Sequence, residues 1–240
     1  VLHPFRFRRF AVEQCPGVHP VGTDGVLLGA WADTAQVRTV LDIGTGTGLI
    51  ALMLAQRTEH LPDVKIQAVD ALPAAAACAQ ANFSRSPWAG RLQVTEQRIQ
   101  DFSQTTQSKF DLIVSNPPFF TETTFSPDPN RRRSRNAVAL STRDLLAAVA
   151  QLLSPKGRFC VVMPCREGQF SQEQAVLCGL YCTRKVQVYS RIGKPAERLL
   201  LQLERNPYPF ERTDLVIHEQ VNVYAEAFRE LTDAFYANPV

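Results

Sequence analysis

Four consecutive residues, Asn116-Pro117-Pro118-Phe119, have the types and order needed to act on an exocyclic NH2 group. An amine such as adenine N6 is a poor nucleophile, because its lone pair is delocalised into the ring. Two acceptors placed around it draw the nitrogen toward sp3 geometry and aim the lone pair. The Asn116 side-chain oxygen is one such acceptor and the Pro117 carbonyl is the other. Proline has no N–H, so no donor competes at that point. Pro118 stiffens the turn, and the Phe119 ring can stack on the base and hold its plane. An already activated methyl donor needs no strong general base, since the proton leaves during or after transfer.

These residues must be held at the end of a strand. Leu112-Ile113-Val114 is an apolar run, and Asp111–Ser115 reads as a buried strand. Two prolines cannot continue a strand ladder, so the chain leaves the sheet at Asn116. The turn therefore lies at a strand's C-terminal end, where open α/β sheets bind ligands. Strands are expected at Val40–Ile43, Val64–Val69, Leu92–Thr95, Arg158–Met163, Val186–Arg191 and Leu199–Glu204 as well. Helices are expected at Gly48–Gln56, Ala71–Asn82 and Thr142–Leu153, the last ended by Ser154-Pro155-Lys156-Gly157. Repeated βα units point to a doubly wound, mostly parallel sheet with helices on both faces. The last two strands are joined by a short loop, which permits only an antiparallel pair. The expectation is one α/β domain with seven strands. Its core spans residues 40–205, with small appendages at 1–39 and 206–240.

A second chemical feature lies after the first strand, in Leu41-Asp42-Ile43-Gly44-Thr45-Gly46-Thr47-Gly48. Glycines there permit a tight turn and close approach of a ligand to the backbone. Asp70, with Ala71 beside it, ends the second strand, where a carboxylate can accept hydrogen bonds from both ribose hydroxyls. Together they indicate a nucleoside cofactor. A dinucleotide fingerprint would place glycine or alanine where Leu49 stands. An acid, Asp42, also precedes the first glycine, and it would repel a pyrophosphate but favour a cationic amine. This pattern is similar to motif I of class I S-adenosylmethionine methyltransferases. The resemblance implies a Rossmann-like fold and S-adenosylmethionine as cofactor. It places Asp42 near the methionine ammonium, Asp101 at the adenine amino group and Phe102 on the adenine ring. A helix cap at Asp101 and a core role for Phe102 are the plainer alternatives.

The Asn116–Phe119 turn resembles that of N6-adenine and amide-nitrogen methyltransferases, in the form with Phe where Tyr is usual. Their targets are adenine in DNA, adenine in RNA and glutamine in proteins. The chain has no room for a large target-recognition domain, and too few residues precede Asp42 for a helical release-factor domain. An RNA modifier fits best, with ribosomal RNA adenine or protein glutamine as alternatives. A nicotinamide oxidoreductase would leave Asn116–Phe119 unexplained. A non-catalytic RNA-binding module would have no need of Asn116 and Asp42.

Basic residues cluster near this turn: Arg131, Arg132, Arg133 and Arg135 follow it, and Arg191, Lys194 and Arg198 flank the loop between the last two strands. Phosphate contact and a solvated loop both remain open for the first cluster. Phe5-Arg6-Phe7-Arg8-Arg9-Phe10 reads equally as an RNA contact or as core residues.

A closer resemblance covers nearly the whole chain. Val21-Gly22-Thr23-Asp24-Gly25-Val26-Leu27-Leu28-Gly29-Ala30-Trp31-Ala32 is similar to the N-terminal signature of the bacterial tRNA1(Val) adenine-N6-methyltransferase family. So are Ala51–Thr58, Ser86-Pro87-Trp88-Ala89 and the aromatic pattern from Tyr224 to Tyr236. The resemblance implies methylation of the adenine just 3′ of the anticodon, and it lays Thr23 and Asp24 against the cofactor. Capping a helix over Gly25–Ala32 is the local alternative for either residue. Cys15–Pro20, Asp70 in place of Glu, and the Arg131–Arg135 cluster depart from the family pattern.

Composition bounds the rest. The 240 residues are 45% apolar and 20% charged, which excludes disorder, and no apolar run approaches a membrane span. Residues 1–10 are basic and aromatic without an apolar leader, so a cytoplasmic location is expected. The net charge of +3 does not by itself imply nucleic acid. The six cysteines form no CxxC pair, so reduced, mostly buried thiols and no metal are expected. No membrane partner is expected, and a monomer is. If the arginine cluster contacts phosphates, Arg131→Glu lowers the slope of log affinity for RNA against log salt; an unchanged slope returns the cluster to solvent.

Overall fold

A computed structural model describes residues 3–118 and 140–236 of the chain. It begins with a short antiparallel hairpin, β1 (Phe5–Arg6) and β2 (Ala11–Val12), followed by helix α1 (Thr23–Trp31). Alternating units follow: β3 (Thr39–Ile43), α2 (Leu49–Arg57), β4 (Lys65–Asp70), α3 (Pro73–Ser84), β5 (Leu92–Glu96), α4 (Ile99–Thr105) and β6 (Phe110–Ser115). After residue 139 come α5 (Thr142–Leu152), β7 (Leu153–Pro164), α6 (Cys165–Leu177), β8 (Tyr181–Arg191) and β9 (Ala196–Glu204). The described chain ends with β10 (Glu211–Gln220), β11 (Val223–Tyr224) and α7 (Glu226–Thr232).

Among the described residues the main sheet has nine strands, in the order β11-β10-β8-β9-β7-β6-β3-β4-β5. The seven expected strands are all present, and two more extend the edge. β9 is antiparallel to β7 and to β8, as the short β8–β9 loop requires. β10 then pairs parallel to β8, so residues after 205 continue the sheet. Only Leu215-Val216-Ile217 in β10 is apolar, and this polarity hides the element from periodicity. Ser154–Gly157 does not form a loop after α5. Those residues already belong to β7, which pairs Leu153 with Phe110 and then shifts register before Arg158 meets Leu112.

Side-chain alternation divides the core into two layers. Val40, Ile66, Leu112, Val114, Val162 and Leu200 pack on one face with α1 and α2. Leu41, Ile43, Val69, Ile113, Val161 and Leu201 pack on the other with α5. Each such fully buried branched chain contributes ~1.5–3 kcal/mol relative to exposure. Helix α2 is buried from Leu49 through Gln56, which explains why it is apolar on every side.

One expectation is revised by a contact remote in sequence. Cys15 and Cys78 are joined as a disulfide, tying the segment before α1 to α3, with their Cα atoms 6.1 Å apart. Of the free thiols, Cys160 is buried and Cys165, Cys178 and Cys182 are half-buried. For Phe7 and Phe10 the core alternative holds: they stack on each other at 4.7 Å within the core, with Tyr236 and Trp88 beside them. Arg8 binds Asp233 at 2.9 Å and Arg9 pairs with Glu59, so this stretch is core and ion pair rather than an open RNA contact.

Gly48 sets the start of α2. Its φ of 82° lies in the left-handed region, and an added Cβ would meet the Phe83 ring at 2.5 Å. Gly48→Ala is therefore expected to destabilise the fold by at least about 2 kcal/mol, from backbone strain and overpacking together. Urea unfolding should show a lowered midpoint with an unchanged slope.

Candidate active site

The ends of β3 and β6 are neighbours in parallel register, with Ile43 opposite Ser115. The buried Ser115 hydroxyl donates to the Ile43 carbonyl at 2.9 Å. That bond fixes the glycine loop beside the Asn116 turn. The loop is also held from β4: Gly44 N–H donates to the Val69 carbonyl at 2.8 Å, and Gly46 N–H donates to Asp70 Oδ2 at 2.9 Å. Asp70 Oδ1 accepts from Leu72 N–H at 2.9 Å. A carboxylate has about four acceptor sites, so Asp70 keeps capacity for a ligand.

Asp42 lies beneath the loop with no exposure, and its Oδ2 accepts from the Thr45 hydroxyl at 2.7 Å. Burial pushes the Asp42 carboxyl up to about 7, the bonds from the Thr45 hydroxyl and the Ala51 N–H oppose this, and the nearby Asp70 charge adds to it.

A cavity of about 590 Å³ opens over these strand ends, within the usual range for small-molecule sites. Its walls include Gly44, Gly46, Asp70 and Ala71 on one side and Asn116, Pro117 and Pro118 on the other. An added Cβ at Gly44 would meet nothing within 4 Å, so the loop backbone is bare toward a ligand. Asn116 is half-buried, Pro117 buried and Pro118 exposed. Phe119, Arg131, Arg132, Arg133 and Arg135 lie outside the described residues.

Several expected residues are not brought to this cavity. Asp101 is exposed in the first turn of α4, and Phe102 is buried against Phe110 in the core. Gln97, Arg98, Ile99 and Gln100 line the wall there instead, because α4 begins at Ile99 and carries the chain away. Neither residue caps α4, whose N-cap position is Arg98. Thr23 is exposed and Gly48 is packed behind the loop; neither lines the cavity. Gly22, not Thr23 or Asp24, occupies the N-cap of α1, without a side-chain bond. Asp24 does line the cavity, paired with Arg198 at 2.9 Å. That pair separates Arg198 from Arg191 and Lys194, which stay at the β8–β9 turn outside the cavity.

Val18, His19 and Pro20 also line the cavity, as do Leu140 and Pro164. Local spacing carries no sign of these, since they arrive from three separate segments that meet only in the fold. Among the described residues no cluster of three or more His, Cys, Asp or Glu could hold a metal ion, and no helix is long and apolar enough to cross a membrane.

Comparison with known proteins agrees with this geometry. A family model described as the methyltransferase small domain matches residues 22–171. A Histophilus somni (strain 129Pt) protein named tRNA1(Val) (adenine(37)-N6)-methyltransferase is 40% identical over 98% of this chain and 97% of its own. A Haemophilus influenzae (strain Rd) protein of the same name is 42% identical over 97% of each chain. In structure, an Agrobacterium tumefaciens protein described as a predicted O-methyltransferase superposes with a TM-score of 0.66 at 16% identity. It covers 90% of this chain and 98% of that one. A T. thermophilus 16S rRNA N2 G1207 methyltransferase, in complex with AdoMet and guanosine, gives 0.56 at 21% identity over 85% of this chain and 50% of that one. At such identities these two speak for the fold.

The Asp42 environment has a pH signature. Its folded carboxyl titrates at about 7 against an ordinary 3.8, so across that window the folded chain keeps a proton that the unfolded chain has released. Linkage then makes Asp42's contribution fall as pH rises from 3.8 to about 7. Asp42→Asn should remove that decline, so wild type loses stability relative to the variant as pH rises through the window. Urea titrations of both proteins across it test this; parallel curves would refute the placement.

Proposed function

The chain belongs to the tRNA1(Val) adenine-N6-methyltransferase family, and from that we propose that it methylates N6 of the adenine 3′ of the anticodon in that tRNA. The observation that carries the reading is one cavity joining the glycine loop and Asp70 to the Asn116–Pro117 turn.

The residues present suit S-adenosylmethionine. Gly44 and Gly46 present bare backbone to the cavity, Asp70 retains acceptor capacity for ribose hydroxyls, and the volume suits one nucleoside-sized ligand beside a base. Asp42 acts through the loop: from its buried place beneath it, the bond with the Thr45 hydroxyl sets the loop's shape. When bound, the cofactor supplies an electrophilic methyl group, and its sulfur takes the electron pair of the broken C–S bond.

On the substrate side, the Asn116 side-chain oxygen and the Pro117 carbonyl accept the two N–H bonds of the target amine. The amine's lone pair turns out of the ring plane and forms the new N–C bond. The displaced N6 proton passes to solvent. Phe119 is assigned the stacking face for the base, and Pro118 the stiffness of the turn. Asp101 and Phe102 are assigned no direct contact, given their placement. A target adenine inside a stacked loop must be flipped out to reach Asn116. Arg131, Arg132, Arg133 and Arg135, with Arg191 and Lys194 at the exposed β8–β9 turn, are proposed to hold RNA phosphates. The reading includes a cytoplasmic location and a monomeric enzyme.

Asn116→Ala should lower kcat about a hundredfold or more, the usual effect of removing one transition-state contact, while leaving cofactor affinity within a few-fold. Transfer of labelled methyl groups to bulk tRNA, nucleoside analysis of the product, and calorimetry with the cofactor check this. Retained turnover sinks the mechanism. Label in ribosomal RNA or a release factor, but not in tRNA, keeps the site and reassigns the substrate.

A further inference from the structure

We infer that Arg198, oriented by Asp24, is a substrate-binding residue that grips a phosphate of the flipped-out target nucleotide inside the cavity; this rests on the RNA-methylating reading above.

The argument begins with placement. Arg198 stands opposite Pro164 in the β7–β9 pair, and Pro164 and Arg198 both line the cavity. The strand order runs β3, β6, β7, β9, so the glycine loop and Arg198 lie on opposite sides of the Asn116 turn. From β6 to β9 is two strand spacings, about 10 Å. A base with its amine at Asn116 and the cofactor over β3 has its sugar end directed away from the cofactor. On an adenine, N6 and the sugar-bearing nitrogen sit at opposite ends of the ring system. The ribose and phosphates therefore trail toward β7 and β9, where the guanidinium waits.

The bonding of Arg198 fits this task. Nε donates to Asp24 Oδ2 at 2.9 Å, and Nη1 donates to the Glu197 carbonyl at 3.1 Å. A guanidinium has five N–H donors, so three remain beyond these two bonds. Among the described residues Nη2 meets no acceptor. The two paired side chains are 36% and 30% exposed, so the pair is open to water, and such a pair contributes little to stability. It spans 174 residues to fix one end of a flexible side chain. A planar fork fixed at Nε presents its remaining donors in a set direction, which suits a phosphate's paired oxygens.

The test uses the full-length protein and an anticodon stem-loop of the cognate tRNA. Arg198→Gln should raise KM for RNA tenfold or more, leave cofactor affinity within twofold, and reduce the salt slope of RNA binding by roughly 0.7–0.9, the value of one phosphate. Asp24→Asn should raise KM by a smaller factor. The charge swap Asp24→Arg with Arg198→Asp separates a structural pair from a phosphate grip. A purely structural pair is restored by the swap; a phosphate grip is not. A stem-loop with a neutral methylphosphonate at the target nucleotide gives a second reading on wild type, whose KM should rise to the level of Arg198→Gln. An unchanged salt slope, recovery in the swap, or indifference of wild type to the methylphosphonate overturns the inference. Those outcomes differ from wild type failing to methylate tRNA at all, which overturns the underlying function and this inference with it.

Discussion

The C-terminal ends of β3 and β6 lie level, and a buried hydroxyl keeps them so: Ser115 donates to the Ile43 carbonyl at 2.9 Å. The next residue on one strand opens the glycine loop, and the next on the other is Asn116. A slip of one residue between these strands would invert the side chains of Leu112, Ile113 and Val114 between two dry core layers. Core packing thus sets the register, and the register sets the distance between the place of the methyl donor and the acceptors for the amine. Positioning of this kind dominates when the electrophile arrives already activated.

Charge is managed around that junction by layers. Asp42 is dry and tied to Thr45, so it shapes the loop from below. Asp70 is nearly buried but faces the cavity and already braces Gly46 and Leu72. Asp24 reaches the cavity from α1 and meets Arg198 from β9. Three carboxylates within one site have three different tasks because their solvation and partners differ. The segment before α1 closes the cavity with Val18, His19 and Pro20, and the Cys15–Cys78 link fastens it to α3.

The two ends of the chain meet behind this site. Phe7 bridges Tyr236, Arg8 binds Asp233, and Gln56 of α2 donates to the Ala234 carbonyl at 2.8 Å. Helix α2 is thereby enclosed on every side, which holds its N-terminus, and with it the glycine loop, in place. The N- and C-terminal segments, short as they are, complete the core around the helix that follows the loop.

Residues close together in sequence were legible without coordinates. The end of the strand before Asn116–Pro118, the Gly44–Gly48 loop, Asp70 at a strand end and the seven principal strands follow from local rules: proline geometry, glycine turns and apolar periodicity. Such rules act within a few residues, so a single chain displays them. What only the tertiary structure decided involves partners far apart. The Cys15–Cys78 link, the Asp24–Arg198 pair and the packing of Phe7 against Tyr236 and of Phe10 against Trp88 each depend on segments separated by a loop, a helix or the whole chain. The turn of α4 that carries Asp101 and Phe102 away from the cavity is equally unreadable, because a helix's starting angle is set by what it packs against. The polar strand β10 is held by pairing with β8 rather than by its own apolar pattern, so its existence too was settled by the fold.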